Sequence, residues 1–130
     1  MTEKNFYASV REYTRDVLKH SCAIELKVTK TNTLPYSNVQ VHQRANLRMV
    51  KEGNFVWKIS DAGFEQKPFD IVALCGVPAY VAIIWYKPYK KKIVYFITID
   101  DFERWEQSSK RKSITEEEAN IVASYKGELK

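Results

Sequence analysis

The sequence predicts an α/β fold, with a central mixed β-sheet flanked by helices. Segments with the residue spacing of amphipathic helices alternate with short β-branched and aromatic runs, in the order α-β-α-β-β-β-β-α-α. Two of the helix patterns begin with capping boxes. With 130 residues, of which 45% are hydrophobic, the chain is long enough for the core of one domain over residues 1–130. This order of elements favours a mixed sheet with helices packed on it.

Two helices are predicted in the first half of the chain. The first covers about residues 3–19, where apolar side chains recur at helical spacing. The second covers about residues 38–52, between the capping box Ser37-x-x-Gln40 and Gly53, which suits the position just after a helix. We expect the polar side chains of the second helix to face solvent or a site.

Two further helices are predicted near the C-terminus. The third is short and has Asp100 or Asp101 as its cap. The fourth begins at the capping box Thr115-x-x-Glu118 and is expected to end at Gly127.

Five strands are predicted, at residues 23–29, 55–59, 67–74, 79–86 and 93–99. The third and fourth flank the short turn Cys75-Gly76-Val77-Pro78 and are therefore expected to form an antiparallel hairpin. Pro68 is compatible with the start of its strand, because there it removes only a terminal backbone donor.

Composition narrows the class of protein. The net charge of +5 and the high isoelectric point suit an anionic partner, although many basic proteins bind none. Cys22 and Cys75 lack the spacing of a metal site and are interpreted as buried free thiols in a reducing compartment. The N-terminus resembles no export signal, and no apolar run is long enough to span a bilayer, so we expect a cytoplasmic protein without membrane contact.

The stretch Ala23–Lys30 carries the first candidate site residues. Glu25 and Lys27 are two residues apart in a strand pattern, so both point to one face while the apolar residues between and around them point to the other. The alternative interpretation is a solvated ion pair on an exposed face.

Asp70 is a second carboxylate set in a predicted strand, and its alternative role is an ion pair with Lys67 or another lysine. The helix between the two strands carries His42 and Gln43. Polar helix surface is the alternative interpretation of these two residues.

These motifs together resemble those of the PD-(D/E)xK nuclease superfamily, and within it the Holliday junction resolvases and related phage and archaeal nucleases. The resemblance rests on Glu25-Leu26-Lys27, on Gln43 in the following helix and on Lys67-Pro68-Phe69-Asp70, and it covers about residues 20–86. It implies a restriction-endonuclease-like fold and a metal-dependent endonuclease that cuts DNA, branched or duplex. It also implies a homodimer, because a four-way junction requires two symmetric cuts.

The order of the motifs departs from that of the family, in which the Asp strand precedes the Glu-x-Lys strand. If the order is permuted, strands 23–29 and 67–74 should be neighbours in space, with Glu25 and Asp70 close together. In the usual order, the Glu-x-Lys position falls at Ala82-Ile83-Ile84, which carries no charge, and that site would be inactive. Both alignments stay open from the sequence.

The resemblance assigns a role to each residue of the site. Glu25, Asp70 and the backbone carbonyl of Leu26 would hold Mg²⁺, with Mn²⁺ as a substitute, because hard oxygen ligands suit both ions. Lys27 would place the attacking water and neutralise the phosphate, and Gln43 would orient the water or the lysine.

A basic turn could bind the DNA backbone. The candidates are Lys87, Tyr89, Lys90, Lys91 and Lys92 in the turn, with Lys30 and Lys67 adding charge near the site. Lysines contact phosphates without reading the base sequence. The alternative interpretation is a turn that only aids solubility.

Two other function classes stay open. One is a nucleic-acid-binding protein without catalysis, on a degenerate nuclease fold. The other is a small protein-interaction domain.

Overall fold

In the computed structural model, which describes residues 2–53, 55–58 and 69–130, the chain is an α/β protein with a four-stranded mixed sheet. The strands are β1 (Ala23–Thr29), β2 (Thr33–Pro35), β3 (Phe55–Lys58), β4 (Ile71–Leu74), β5 (Ala79–Trp85), β6 (Ile93–Thr98), β7 (Ser113–Thr115) and β8 (Tyr125–Glu128). The helices are α1 (Tyr7–Tyr13), α2 (Val41–Glu52), α3 (Ile99–Ser108) and α4 (Glu116–Val122). The coarse fold class predicted from the sequence is thereby confirmed.

The central sheet has the strand order β1-β5-β6-β8. β1 is parallel to β5, whereas β6 is antiparallel to both β5 and β8. All seven residues of β5 are buried, since strands lie on both its edges and side chains cover both its faces. A continuous apolar run is what such a central position requires.

Two hydrophobic clusters cover the two faces of the sheet. One contains Val81, Ile83 and Ile97 together with side chains of the helices α2, α3 and α4, such as Leu47 and Phe102. The other contains side chains from the opposite face of the strands and from the N-terminal helix; its members include Phe6, Val10, Leu26, Ile84 and Phe96. The sheet is therefore covered by helices on both sides, and β1 stands at one edge.

The N-terminal segment is helical over nearly the predicted range. A 3₁₀ turn at Glu3–Phe6 leads into α1, and a π-helical turn at Thr14–Leu18 follows it. The helical segment ends where Lys19 takes a left-handed conformation, with φ of 57°.

The expected hairpin of residues 67–74 with 79–86 is wrong. β4 pairs with β3 in a separate two-stranded sheet, in which Phe55 is opposite Leu74 and Lys58 is opposite Ile71. The neighbour of β1 is β5, with Glu25 opposite Val81, and not the strand that follows Asp70. The physical reason is burial, because β5 is apolar on both faces and takes the central place, whereas Ile71 and Ala73 of β4 are exposed. Lys67 and Pro68 lie outside the described residues.

The helix caps agree with the sequence in part. Gly53 ends α2 with φ of 86°, as predicted. The N-terminus of α2 differs, because the backbone N–H of Gln40 donates to Gln43 Oε1 at 2.9 Å, so that the cap is Gln40 and not Ser37. The cap of α3 is the Thr98 hydroxyl, which accepts from the Asp101 N–H, and not an aspartate.

The last helix is shorter than predicted. Its capping box is confirmed, since the Thr115 hydroxyl accepts from the Glu118 N–H and the Glu118 carboxylate accepts from the Thr115 N–H. However, α4 ends at Val122, and Gly127 lies in β8. The Tyr13 ring packs directly over Gly127, where an added Cβ would stand 2.1 Å from ring atoms. Gly127 is therefore a packing requirement and not a helix end.

Both cysteines are free thiols, but neither is fully buried: Cys22 is half-buried and Cys75 is exposed. Burial raises the pKa of the Cys22 thiol. Within the described ranges, no helix is long and apolar enough to cross a membrane.

Candidate active site on the edge of the sheet

Glu25 and Lys27 lie on one face of β1, as predicted. Lys27 Nζ is 3.5 Å from Glu25 Oε1, and the two side chains are 13% and 30% exposed respectively. Ile24, Leu26 and Val28 belong to the cluster on the opposite face of the sheet. A charged pair this far from full solvent exposure differs from a loose surface ion pair, since screening by water is weaker there.

The hydrogen bonds of β1 leave the Leu26 carbonyl on the open edge. At one end of the ladder the Ala23 N–H donates to Pro78, and at the other end the Tyr86 N–H donates to the Thr29 carbonyl. In a parallel ladder the backbone groups of alternate residues point to the same side, so the groups of residues 23, 25, 27 and 29 face β5. The Leu26 carbonyl therefore points away from β5, and among the described strands none pairs with that edge.

Gln43 is positioned by the first turn of α2. Its Oε1 accepts the Gln40 N–H, which leaves the two amide hydrogens of Gln43 as donors. Gln43 lines two of the cavities that Glu25 also lines. His42, the next residue on α2, is exposed and lines one of them.

Three cavities meet at Glu25. The first, of about 830 Å³, lies between the N-terminal helix and β1 and is lined by cationic residues including Arg11, Arg15 and Lys19. The second, of about 510 Å³, lies between α2 and the β3–β4 sheet. The third, of about 530 Å³, is lined by Lys4, Lys27 and Gln43, among others. Glu25 lines all three, so it stands where the three cavities adjoin.

Strand pairing does not bring Asp70 next to Glu25, contrary to expectation. Asp70 is exposed and directly precedes β4, at the end of the β3–β4 pairing that is remote from Gly53. Asp70 is two residues before Val72 and four before Leu74, the spacing of residues on one face of a strand. Val72 and Leu74 line the second cavity together with Glu25. Any approach of Asp70 to the site therefore depends on the β3–β4 sheet and not on a shared ladder with β1.

The donor set around Glu25 suits a magnesium ion that keeps much of its hydration. Within the part of the chain that the structure describes, no group of three or more His, Cys, Asp or Glu side chains could hold a metal. Magnesium, however, is commonly bound by one or two carboxylates, with waters and substrate phosphates as its other ligands. The Glu25 carboxylate and the Leu26 carbonyl, which points to the edge of β1 that no described strand pairs with, are two oxygen donors of the required kind.

Several lysines of the basic turn contact other groups of the protein itself. Lys92 Nζ donates to the carbonyls of Lys87 and Lys90, each at 2.6 Å, and lies 4.6 Å from the centroid of the Tyr86 ring. Lys91 pairs with Glu128, and Lys87 donates to Asn32. Lys92 therefore holds the turn together and is not a free contact for DNA.

Three other members of the predicted basic surface, Lys90, Tyr89 and Lys30, are exposed. Lys90 lies on the outside of the turn, and Tyr89 beside it is fully exposed with φ of 62°. Lys30 is exposed directly after β1, whereas Lys67 lies outside the described residues.

Some residues near Glu25 were not predicted as site residues. They are Lys4 of the first turn, the cations of the N-terminal helix, and the aromatic pair Phe55 and Trp57. The spacing of Phe55 and Trp57, which places both rings on one face of a short strand, is the sequence signal that could have identified them. Glu12 lies elsewhere, in a cavity lined by Asp16 and Leu129.

In comparisons with known proteins, the chain matches no family model, no curated protein and no solved structure.

Proposed function

We propose that this protein is a Mg²⁺-dependent DNA endonuclease with a restriction-endonuclease-like fold. The observation that supports this most is the half-buried Glu25–Lys27 pair on the open edge of β1, at the point where three cavities meet. The resemblance of Glu25-Leu26-Lys27 and Gln43 to the PD-(D/E)xK motifs supports the same function. A permuted motif order is part of the proposal.

Each residue has a distinct role in this proposal. The Glu25 carboxylate and the Leu26 carbonyl would hold Mg²⁺, and the ion would supply activation of a water molecule and compensation of the negative charge on the phosphate. Lys27 donates to a phosphate oxygen beside Glu25 and holds the negative charge that develops there. Gln43 donates its amide hydrogens to the water or to a phosphate oxygen.

Asp70 is proposed as the second carboxylate, carried by the β3–β4 sheet. In the nucleases that these motifs resemble, the corresponding aspartate lies on a strand next to the Glu-x-Lys strand, whereas here it directly precedes β4, which belongs to a different sheet. Its substitution therefore tests the permuted order separately from the role of Glu25.

A nucleic-acid-binding protein without catalysis is the second candidate function. The separation of β4 from β1 favours it, because it leaves Glu25 without a second carboxylate on a neighbouring strand. The net charge of +5 suits both functions. A homodimer, as the resemblance implies, is proposed for the nuclease and can be measured by sedimentation in solution.

The test is cleavage of labelled branched and linear DNA in Mg²⁺ or Mn²⁺, with EDTA as the metal-free control. We expect Glu25→Gln and Lys27→Ala each to slow cleavage about a hundredfold or more, since several kcal/mol of transition-state stabilisation would be lost. Glu12→Gln is the matched control, because it makes the same chemical change on the N-terminal helix in a different cavity.

The variants separate the possible outcomes. Loss of cleavage in Asp70→Asn with unchanged DNA binding would support the permuted site. Wild-type protein that binds DNA but cuts no substrate would support the second candidate function. Equal losses in Glu25→Gln and Glu12→Gln would contradict the proposed site.

A further inference from the structure

The β3–β4 sheet presents an aromatic pair to the cavity beside Glu25. Phe55 and Trp57 are stacked, with ring centroids 5.8 Å apart and ring planes 8° from parallel. Trp57 is 59% exposed, so one of the largest apolar side chains of the protein is accessible to solvent. Both rings line the cavity between this sheet and α2, which Glu25 also lines.

The opposite wall of this cavity is formed by α2. It includes the apolar residues Leu47 and Val50 together with the polar residues His42, Gln43 and Asn46. Amide side chains can donate and accept at once, as the edge of a nucleobase requires. With a volume of about 510 Å³, the cavity can admit a planar ring between the aromatic pair and these polar groups.

The neighbouring cavity has the complementary character. It shares Glu25 and Gln43 with the aromatic cavity, and its lining includes the cations Lys4 and Lys27 as well as Glu3. A nucleotide has the same division, with an aromatic base on one side and an anionic phosphate on the other. Lys4 and Lys27 are thus the groups of this cavity that suit the phosphate, and the aromatic cavity suits the base.

From this arrangement we propose that Phe55 and Trp57 form a stacking site for an unpaired nucleobase next to Glu25. The substrate class is then DNA with unpaired nucleotides, such as branched or splayed strands, because a base inside a duplex is already stacked and cannot enter the cavity. This inference rests on the proposed function for its substrate, but its test measures binding and not cleavage.

The test uses the full chain without divalent metal and two labelled probes, a 20-nucleotide oligo(dT) strand and a 20-base-pair duplex. We expect Trp57→Ala to weaken binding of the single strand about ten- to hundredfold, in line with the loss of one stacked base, and to change duplex binding much less. Trp57→Phe keeps an aromatic ring and should retain most of the affinity. Val56→Ala is the matched control, because Val56 is exposed on the other face of the same strand.

A second readout is specific to stacking. A single-stranded probe with one 2-aminopurine should lose fluorescence on binding to wild-type protein, and lose less on binding to Trp57→Ala. Sedimentation of each variant shows whether Trp57 instead mediates contact between copies of the chain.

The inference is overturned if Trp57→Ala binds the single strand as tightly as wild type. It is also overturned if Val56→Ala weakens binding equally, or if Trp57→Ala changes only the oligomeric state. Protein that binds the probe through Trp57 but never cuts DNA would support this inference and contradict the proposed nuclease activity. Protein that cuts DNA but binds it independently of Trp57 would support the nuclease activity and overturn this inference.

Discussion

At the scale of single residues, alternation along β1 is what could be predicted reliably. Glu25 and Lys27 share a face because strand geometry leaves no other arrangement, and the structure confirms it. The position of Asp70 could not be predicted in the same way, because it depends on which strands pair and not on local spacing. The role of Gly127 could not be predicted either, because the Tyr13 ring that excludes a side chain there is more than a hundred residues away in sequence.

Glu118 offers a test of stability at this scale. Burial raises the pKa of its carboxyl, but hydrogen bonds from Trp105 Nε1 and from Thr115, together with the charge of Arg111, outweigh that effect and lower the pKa below its usual 4.5. A group whose pKa is lowered on folding stabilises the protein above its unfolded pKa, and this contribution is lost as the pH falls through the folded pKa.

We therefore expect Glu118→Gln to lower the free energy of unfolding at pH 7 by about 1 kcal/mol, the size of a typical intramolecular hydrogen bond, because the Gln oxygen can still accept part of the bonds. The difference from wild type should shrink as the pH is lowered from 5 to 3. Urea unfolding at both ends of this range measures it. A difference that stays constant with pH would show that the charge of Glu118 contributes nothing.

At the scale of elements, five of the eight described strands were predicted, whereas β2, β7 and β8 were not, and the pairing of β4 was predicted wrongly. The limits of β1 are those predicted, and β5 was identified as a strand from its apolar run. Its central place could have been inferred from that run, since Ala79–Trp85 has no polar face. The partner of β4 could not have been inferred from the sequence, because a four-residue strand with alternating exposure fits several neighbours equally well.

The basic turn between β5 and β6 gives a prediction for this element. Lys90 is exposed, so Lys90→Ala should leave stability unchanged and, if the turn contacts duplex DNA, reduce the slope of log affinity against log salt by about 0.9. Lys92 holds two carbonyls of the turn, so Lys92→Ala should cost about 1 kcal/mol of stability.

Binding titrations at several salt concentrations, together with thermal unfolding, distinguish the two effects. Lys126→Ala, on the opposite edge strand of the sheet, is the control for the general loss of one positive charge. A slope that is the same in wild type and Lys90→Ala would show that Lys90 does not contact DNA, and would favour the interpretation that the turn only aids solubility.

At the scale of the whole molecule, the arrangement of the sheet explains why the site lies where it does. β1 and β5 form the parallel pair of the described central sheet, and no described strand pairs with the second edge of β1. The N-terminal helix, α2 and the β3–β4 sheet surround that edge and leave three cavities between them. Charges and aromatic rings from distant parts of the chain thus converge on Glu25, which no local sequence pattern could predict.

The most direct test of the central claim is to locate the metal itself. A crystal of the protein with Mn²⁺ and a DNA strand carrying an uncleavable phosphate analogue would be measured at a wavelength where manganese scatters anomalously. We predict an anomalous peak within about 2.0–2.6 Å of a Glu25 carboxylate oxygen and of the Leu26 carbonyl oxygen, with a phosphate oxygen as a further ligand. DNA bound with no manganese at Glu25, or manganese held only by other residues, would contradict the account.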